Sequence, residues 1–227
     1  MKRQVLGPLT SIAVPAFLME FVYSLVALWL FSKWSRVHSQ SPRFANRFAL
    51  YEGVHGRYLK AEPFVYLEFG VFQGESLRWW VSASQRASAR FVGFDVFTGL
   101  PERWGVQGTG AFDCQGKPPE IDDRRVSFQV GLFSETLRPF LASHAGDLSR
   151  TLVVHLDADL YSSTLYVLTS LWPVLKSGDI IVFDEFGSVR TCKHEFRAFH
   201  DFCTAYGLKY EVLGFTTTYA QAAIRVL

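Results

Sequence analysis

The stretch that decides the fold is Phe64-Val-Tyr-Leu-Glu-Phe-Gly-Val-Phe-Gln-Gly-Glu-Ser76. A short apolar run comes first, a turn containing Gly70 and Gly74 follows, and apolar residues at helical spacing begin at Ser76. Glycines let such a turn approach a ligand closely, and the N-terminus of the helix that follows presents free backbone N–H groups. The stretch therefore predicts a strand, a ligand-binding turn and a helix in succession.

Six further apolar runs alternate with helical patterns along the rest of the chain. With residues 64–69, they predict seven strands, at residues 91–95, 126–130, 152–157, 180–184, 209–213 and 222–226. Runs that are apolar on both faces are typical of central strands in a parallel sheet covered by helices. We therefore expect one Rossmann-like α/β domain over residues 51–227, with helices on both faces of a mostly parallel sheet. Its one long irregular stretch is residues 96–125. A loop of this length in a compact domain is usually functional, often as a lid, so we expect a functional role for it.

Charge and cysteine content exclude several classes of function. Residues 1–50 carry six Lys or Arg against one acid, and residues 51–227 carry seventeen against twenty. The main domain is mildly acidic and has no basic stripe, which argues against a nucleic-acid partner. Three cysteines without C-x-x-C spacing predict neither a disulfide framework nor a zinc site. A reducing, cytoplasmic location fits this cysteine pattern best.

The N-terminal segment, residues 1–50, is predicted to contain an apolar helix over residues 5–31. Glu20 is the only charged residue between Val5 and Phe31, so this helix must be buried in lipid, in a partner subunit or against the main domain. One open interpretation is a membrane span or interfacial anchor, and the other is packing within a homo-oligomer or on the main domain. A cleaved secretory signal is a third interpretation, but the sequence has no clear small-x-small cleavage site after the apolar run. Pro8, Pro15 and Glu20 count against a span. Attachment would be to the cytoplasmic face, because Lys and Arg cluster after the apolar run.

The residues just after the strands form a consistent set of candidate binding groups. Ligands of open α/β sheets bind outside the carboxyl ends of the strands. Asp95 ends the second predicted strand, where an acid can accept both ribose hydroxyls of an adenosine ligand. The glycine spacing E-x-G-x-x-x-G differs from the G-x-G-x-x-G of dinucleotide-binding folds, and the chain has no Walker-type G-K-[ST]. We therefore expect an adenosine-containing ligand other than a dinucleotide or nucleoside triphosphate.

Four sequence blocks in order resemble the macrocin O-methyltransferase family of class I S-adenosylmethionine-dependent methyltransferases. They are Leu67-Glu-Phe-Gly-Val-Phe-Gln-Gly-Glu-Ser76, Phe94-Asp-Val-Phe-Thr-Gly-Leu-Pro-Glu-Arg-Trp104, His155-Leu-Asp-Ala-Asp-Leu-Tyr-Ser-Ser-Thr164 and Ile181-Val-Phe-Asp-Glu-Phe186. The resemblance covers about residues 60–227. It implies a seven-stranded sheet whose last strand is antiparallel, and it implies methylation of a hydroxyl on a sugar or another small secondary metabolite.

The resemblance also implies site residues. For S-adenosylmethionine they are Glu68, Gly70, Gly74 and Ser76 near the methionine part, Asp95 at the ribose, and Leu132 and Phe133 near adenine. For a divalent metal, usually magnesium, they are Asp157, Asp184 and Glu185. The chain has Asp-Glu where characterised relatives commonly have Asp-Asp.

The chemistry predicts a catalytic role for Asp159. A neutral alcohol attacks a sulfonium methyl group poorly, so the site must lower the pKa of the hydroxyl or take its proton. Asp157 would hold the metal, and Asp159, two residues further on, would be the general base. The other interpretation of Asp159 is a cap of the following helix near Ser162. Two other functions stay open: a non-catalytic binding or tethered scaffold protein, and a nicotinamide-dependent reductase, whose glycine fingerprint is absent.

Overall fold

The structure is a computed structural model that describes residues 15–60 and 63–227. Within these residues it has one eight-stranded sheet in the order β1-β7-β8-β6-β5-β2-β3-β4. The strands are β1 (Arg43–Phe44), β2 (Phe64–Phe69), β3 (Arg90–Asp95), β4 (Val126–Val130), β5 (Thr151–Leu156), β6 (Ile180–Phe183), β7 (Tyr210–Thr216) and β8 (Ala222–Val226).

Six α-helices accompany this sheet in the described part of the chain. They are α1 (Ala16–Val37), α2 (Arg47–Val54), α3 (Glu75–Ala83), α4 (Phe133–Ser143), α5 (Tyr161–Leu171) and α6 (Glu195–Tyr206). A π-helical turn, His55–Leu59, continues α2.

The predicted sheet is confirmed, including its antiparallel last strand. Strand β8 pairs antiparallel with β6 and β7, and the other pairings are parallel. All seven predicted strands are present: three have the predicted bounds, and four have ends that differ by one to three residues. The eighth, β1, is not among the predicted strands, because two residues carry no periodicity. It pairs with β7 at one edge of the sheet.

Strand β2 shows why the sheet lies inside the molecule. All six of its residues are buried. Val65, Leu67 and Phe69 belong to the apolar cluster on one face, together with residues of α1, α4, α5 and α6. Phe64 and Tyr66 belong to the cluster on the other face, together with residues of α2 and α3. Side chains alternate between the two faces of a strand, so the burial of all six residues, Glu68 included, shows that β2 is covered on both sides.

The N-terminal residues are not separate from this sheet. Strand β1 lies within residues 1–50, and the boundary predicted at residue 50 falls inside α2, whose Leu50, Tyr51 and Val54 are buried beneath the sheet. The sheet thus begins at Arg43, before the predicted boundary.

Helix α1 contacts the domain with one side and is exposed on the other. Ala27, Phe31 and Trp34 are buried, and Phe31 and Trp34 both lie within aromatic contact distance of Phe186. The other side exposes apolar side chains, namely Leu18, Phe21, Val22, Leu25, Val26 and Trp29. Residues 5–14 of the predicted apolar segment lie outside the described residues. Across residues 15–60 and 63–227 there is no helix with the length and apolar character needed to cross a membrane.

Candidate active site

A cavity of about 650 Å³ lies at the carboxyl ends of the parallel strands. The turns after β2, β3, β4, β5 and β6 line it, together with part of the loop at residues 96–125. The edge at which strands end is where open α/β sheets bind ligands. Eight of the eleven predicted site residues lie on its wall: Gly70, Asp95, Leu132, Phe133, Asp157, Asp159, Asp184 and Glu185.

The glycine turn after β2 lines the cavity and also packs against the turn after β5. Gly70 has φ +92°, and a Cβ atom there would lie 1.9 Å from the carbonyl oxygen of Asp157. Gly74 has φ +75° and comes directly before α3, and a Cβ atom there would lie 2.9 Å from a side-chain carbon of Pro119. Both positions need glycine for conformation and for space.

Three predicted cofactor residues lie behind the cavity wall. Besides Gly74, these are Glu68 and Ser76, which are both buried. The hydroxyl of Tyr66 donates to Glu68 at 2.8 Å, and burial holds the pKa of Glu68 well above its ordinary value. The hydroxyl of Ser76 lies 3.4 Å from that of Tyr51. Within the described residues, Glu68 and Ser76 therefore support the turn from behind.

Asp95 holds the glycine turn in place. Its Oδ2 accepts the backbone N–H groups of Val71 and Phe72 at 2.8 and 2.9 Å, and its Oδ1 accepts that of Phe97 at 2.8 Å. A carboxylate has about four acceptor positions. Asp95 thus shapes the turn and retains limited capacity for a ribose hydroxyl.

The acids after β5 and β6 differ in how readily they ionise. Burial, reinforced by the charges of Asp184 and Asp159, raises the pKa of Asp157 well above its ordinary value. Burial and the neighbouring Glu185 and Asp184 raise the pKa of Asp159 to about 7. Burial and Asp184 likewise raise the pKa of Glu185 to about 7. Carboxyl groups so close together resist ionising at once.

A buried polar chain keeps Asp184 ionised. Burial alone would raise the pKa of Asp184, but hydrogen bonding and charge from His155, Tyr51 and Arg47 lower it below the ordinary value. The Tyr51 hydroxyl donates to Oδ1 at 2.8 Å, and Arg47 donates to Oδ2 at 3.3 Å. His155 is fully buried, with its two ring nitrogens 2.5 and 3.3 Å from the hydroxyls of Tyr66 and Tyr51. It is a buried core histidine, and both of its ring nitrogens have hydrogen-bond partners.

Sequence reasoning missed Glu195, which links two of the acid-bearing turns. Glu195 is fully buried at the start of α6. Its Oε1 accepts the backbone N–H of Ala158 at 3.3 Å, and its Oε2 accepts that of Glu185 at 3.0 Å. An acid in the first turn of a helix looks like a simple partner of the helix dipole, so no pattern along the chain signals this bridge.

Asp159 does not cap the helix that follows. Helix α5 begins at Tyr161 after Leu160, and no side chain caps it. Asp159 has φ +58°, an uncommon conformation for a residue with a side chain, and lines the cavity. The hydroxyl of Ser162 instead donates to Glu102 of the long loop at 2.6 Å.

Aromatic side chains close the cavity on the side of the long loop. Trp104 and Phe112 line it, and Phe112 packs edge-to-face against Phe72 of the glycine turn at 5.5 Å between ring centroids. Phe97 of the same loop is instead buried in the core beside Phe128.

The predicted magnesium ligands share the cavity but do not form a site in this arrangement. Their oxygens are of the type that magnesium prefers. Among residues 15–60 and 63–227, however, no three His, Cys, Asp or Glu side chains are arranged to hold a metal ion. Both oxygens of Asp184 are already engaged, by Tyr51 and Arg47.

Comparison with known proteins bears on this geometry directly. The family model of the macrocin O-methyltransferases (TylF) matches residues 117–214, which include the acids after β5 and β6. The resemblance to the macrocin O-methyltransferase family is confirmed. A curated relative from Streptomyces olivaceus, 8-demethyl-8-(2,3-dimethoxy-alpha-L-rhamnosyl)-tetracenomycin-C 4'-O-methyltransferase, is 33% identical over 86 residues, or 38% of this chain. The match spans 29% of that relative's length.

Solved structures show that the fold is that of class I methyltransferases, as predicted. A calicheamicin methyltransferase superposes with a TM-score of 0.60 at 24% identity, covering 78% of this chain and 76% of its own. The O-methyltransferase NovP superposes with a TM-score of 0.54 at 23% identity, covering 77% and 75%. At this identity the two structures bear on the fold alone.

Proposed function

We propose that this chain is an S-adenosylmethionine-dependent methyltransferase that methylates a hydroxyl group of a sugar or another small secondary metabolite. The observation that carries the proposal is the cavity in which the glycine turn, Asp95 and the acids after β5 and β6 meet. The match of residues 117–214 to the macrocin family supports the same reaction class.

The cofactor would lie along the strand ends. Gly70 and the N-terminus of α3 are beside the methionine part, Asp95 is beside the ribose, and Leu132 and Phe133 after β4 are beside adenine. This arrangement follows the strand order, since β2, β3 and β4 are neighbours in the sheet. The closeness of Gly70 to Asp157 supports it, because it brings the methionine turn beside the acids.

The transfer step itself needs a base and a held acceptor. The hydroxyl oxygen attacks the sulfonium methyl carbon, the carbon–oxygen bond forms, and the carbon–sulfur bond breaks with its electrons going to sulfur. The products are a methyl ether and S-adenosylhomocysteine. Asp159 would take the hydroxyl proton, because a base with a pKa of about 7 suits proton transfer near neutral pH. Asp157, beside it on the same turn, would orient the acceptor.

Magnesium dependence is the finer part of the proposal and stays a prediction. Asp157, Asp184 and Glu185 would hold the ion, which would lower the pKa of the acceptor hydroxyl. Forming that site requires Asp184 to exchange Arg47 for the metal. Chelation with EDTA is expected to stop turnover and to leave binding of S-adenosylhomocysteine intact. Full turnover in the chelator contradicts the metal role.

Rhamnosyl hydroxyls are the first acceptors to test. The curated relative is described as acting on a rhamnosyl tetracenomycin, and an apo structure with 25% identity and a TM-score of 0.54 is described as a TDP-rhamnose 3'-O-methyltransferase. We expect labelled methyl transfer from S-adenosylmethionine to a rhamnosyl acceptor by the full chain. S-adenosylhomocysteine, and not NAD, should raise its melting temperature. Stabilisation by NAD alone would favour the reductase, and cofactor binding without transfer to any hydroxyl acceptor would favour the scaffold.

A further inference from the structure

We propose that Arg47 binds the α-carboxylate of the methionine part of the cofactor. The inference rests on the proposed function, because it assumes that S-adenosylmethionine occupies the cavity. It assigns a ligand contact to a residue before the region of family resemblance, on α2.

The charges around the cavity single out Arg47. Among the described residues, six carboxyl groups line the cavity and Arg47 is its one basic side chain. S-adenosylmethionine carries a sulfonium, an α-ammonium and a single carboxylate. The carboxyl groups suit the two cationic centres, whereas the carboxylate needs a positive partner in a cavity of this composition. Arg47 is the group present that can supply it.

The position of Arg47 matches the methionine end of the cavity. One terminal nitrogen pairs with Glu75, the first residue of α3, directly after Gly74. The other lies 3.3 Å from Asp184 after β6. In the sheet β6 is four strand spacings from β4, about 19 Å at the usual separation of 4.8 Å. The adenine end, after β4, is thus on the far side of the cavity from Arg47.

Arg47 also has donors left for a ligand. A guanidinium group carries five N–H donors in a planar fork that matches a carboxylate. In the described structure Glu75 and Asp184 take one each. The side chain is 28% exposed, so its remaining donors are within reach of the cavity. The ion pair with Glu75 can hold the guanidinium in place while it binds the cofactor, whether or not Asp184 keeps its own contact with Arg47.

Two ligands that differ in the amino-acid part test this assignment. S-adenosylhomocysteine contains the α-carboxylate, and 5'-deoxy-5'-methylthioadenosine lacks the amino-acid part but keeps the adenosine and the thioether. Calorimetric titration of the full chain should show that Arg47→Gln lowers the affinity for S-adenosylhomocysteine about 10- to 100-fold. This is the effect expected from losing hydrogen bonds between charged groups. Affinity for methylthioadenosine should stay within about twofold of the unsubstituted chain. The S-adenosylhomocysteine affinity of Arg47→Lys should lie between those of Arg47→Gln and the unsubstituted chain, because lysine keeps the charge and loses the planar fork of donors.

Matched variants make each outcome decisive. Arg43→Gln is the control, since Arg43 bonds Tyr219 and is not on the cavity wall. An unchanged S-adenosylhomocysteine affinity in Arg47→Gln overturns the assignment and leaves cofactor binding standing. An equal loss for both ligands overturns it too, because Arg47 would then support the fold. An unchanged cofactor affinity with a raised KM for a phosphate-bearing acceptor overturns it in favour of an acceptor anion. Failure of the unsubstituted chain to bind either ligand rejects the proposed function itself. If Arg47→Gln does not fold, Arg47→Lys gives the same comparison.

Discussion

Gly70 and Asp157 meet through their backbones, so closely that a Cβ atom on Gly70 would lie 1.9 Å from the Asp157 carbonyl oxygen. The turn after β2, predicted to bind the cofactor, thus packs directly on the turn after β5, predicted to bind the acceptor. There is no room between the two turns for a side chain at residue 70.

Replacing Gly70 should therefore damage stability and binding together. Gly70→Ala meets backbone atoms at a positive φ, and we expect a loss of at least about 2 kcal/mol in the free energy of unfolding. Binding of S-adenosylhomocysteine should be lost in the same variant. Denaturant titration and calorimetry measure the two effects. Gly146→Ala is the control, since Gly146 has φ −65° and a Cβ atom there would meet no other atom within 4 Å. A stable Gly70→Ala protein would show that the two turns can separate.

Asp95 should contribute to cofactor binding in two ways. Asp95→Ala removes the acceptor for three backbone N–H groups and the proposed partner of the ribose. We expect the binding free energy of the cofactor to become less favourable by about 1.5–3 kcal/mol. Asp95→Asn retains one carbonyl oxygen as an acceptor and should lose less. Calorimetric titration with S-adenosylhomocysteine compares the two. Unchanged affinity in both variants would remove the basis for the cofactor site.

Asp159 should act on the rate and not on cofactor binding. Asp159→Asn keeps the size of the side chain and removes the base, so turnover should fall by roughly 10²–10⁴. The dissociation constant of S-adenosylhomocysteine should stay within about twofold. Asp147→Asn, at a partly exposed pair with Arg150, is the control for a general effect of losing an acid. An Asp159→Asn enzyme with normal turnover would leave the residue a structural role in its turn.

Glu195 should hold the acid-bearing turns after β5 and β6 in their relative positions. Glu195→Ala leaves the backbone N–H groups of Ala158 and Glu185 without their acceptor, which should cost about 2 kcal/mol or more of stability. We expect kcat to fall further than cofactor affinity, because both turns belong to the acceptor side. Glu211→Ala breaks a partly exposed pair with Arg225 and should change stability by no more than about 1 kcal/mol. Equal losses in kcat and cofactor affinity would show that Glu195 supports the domain as a whole.

The exposed side of α1 should govern how the chain associates. We expect the full chain to self-associate or to sediment with membranes and resist a carbonate wash, the two alternatives that the sequence leaves open. The double substitution of Val26 and Trp29 by serine should weaken either behaviour, because both side chains are exposed and apolar. Val37→Ser, exposed at the end of the same helix, is the control. A full chain that is monomeric and stays in the supernatant would contradict both alternatives.

The sheet could be predicted because central strands such as β5 and β6 are largely apolar and buried on both faces, and the site because its acids follow directly after the strands. Partners distant in sequence leave no such pattern. Arg47 lies 137 residues from Asp184, and Glu195 contacts Ala158 from a separate helix. A strand-end acid such as Asp95 predicts a ribose ligand, but its bonds to the glycine turn could not be foreseen from its position alone.

The loop between residues 96 and 125 is bonded mainly to itself. Leu100 pairs with Ala111, Thr98 bridges to Asp113, and Ser162 with Glu102 ties it to α5. Trp104 and Phe112 of this loop line the cavity, whereas Arg47 and the glycine turn lie outside this segment. Under the proposed function, substitutions within this one loop would change the cavity wall beside the acceptor and leave Arg47 and the glycine turn as they are.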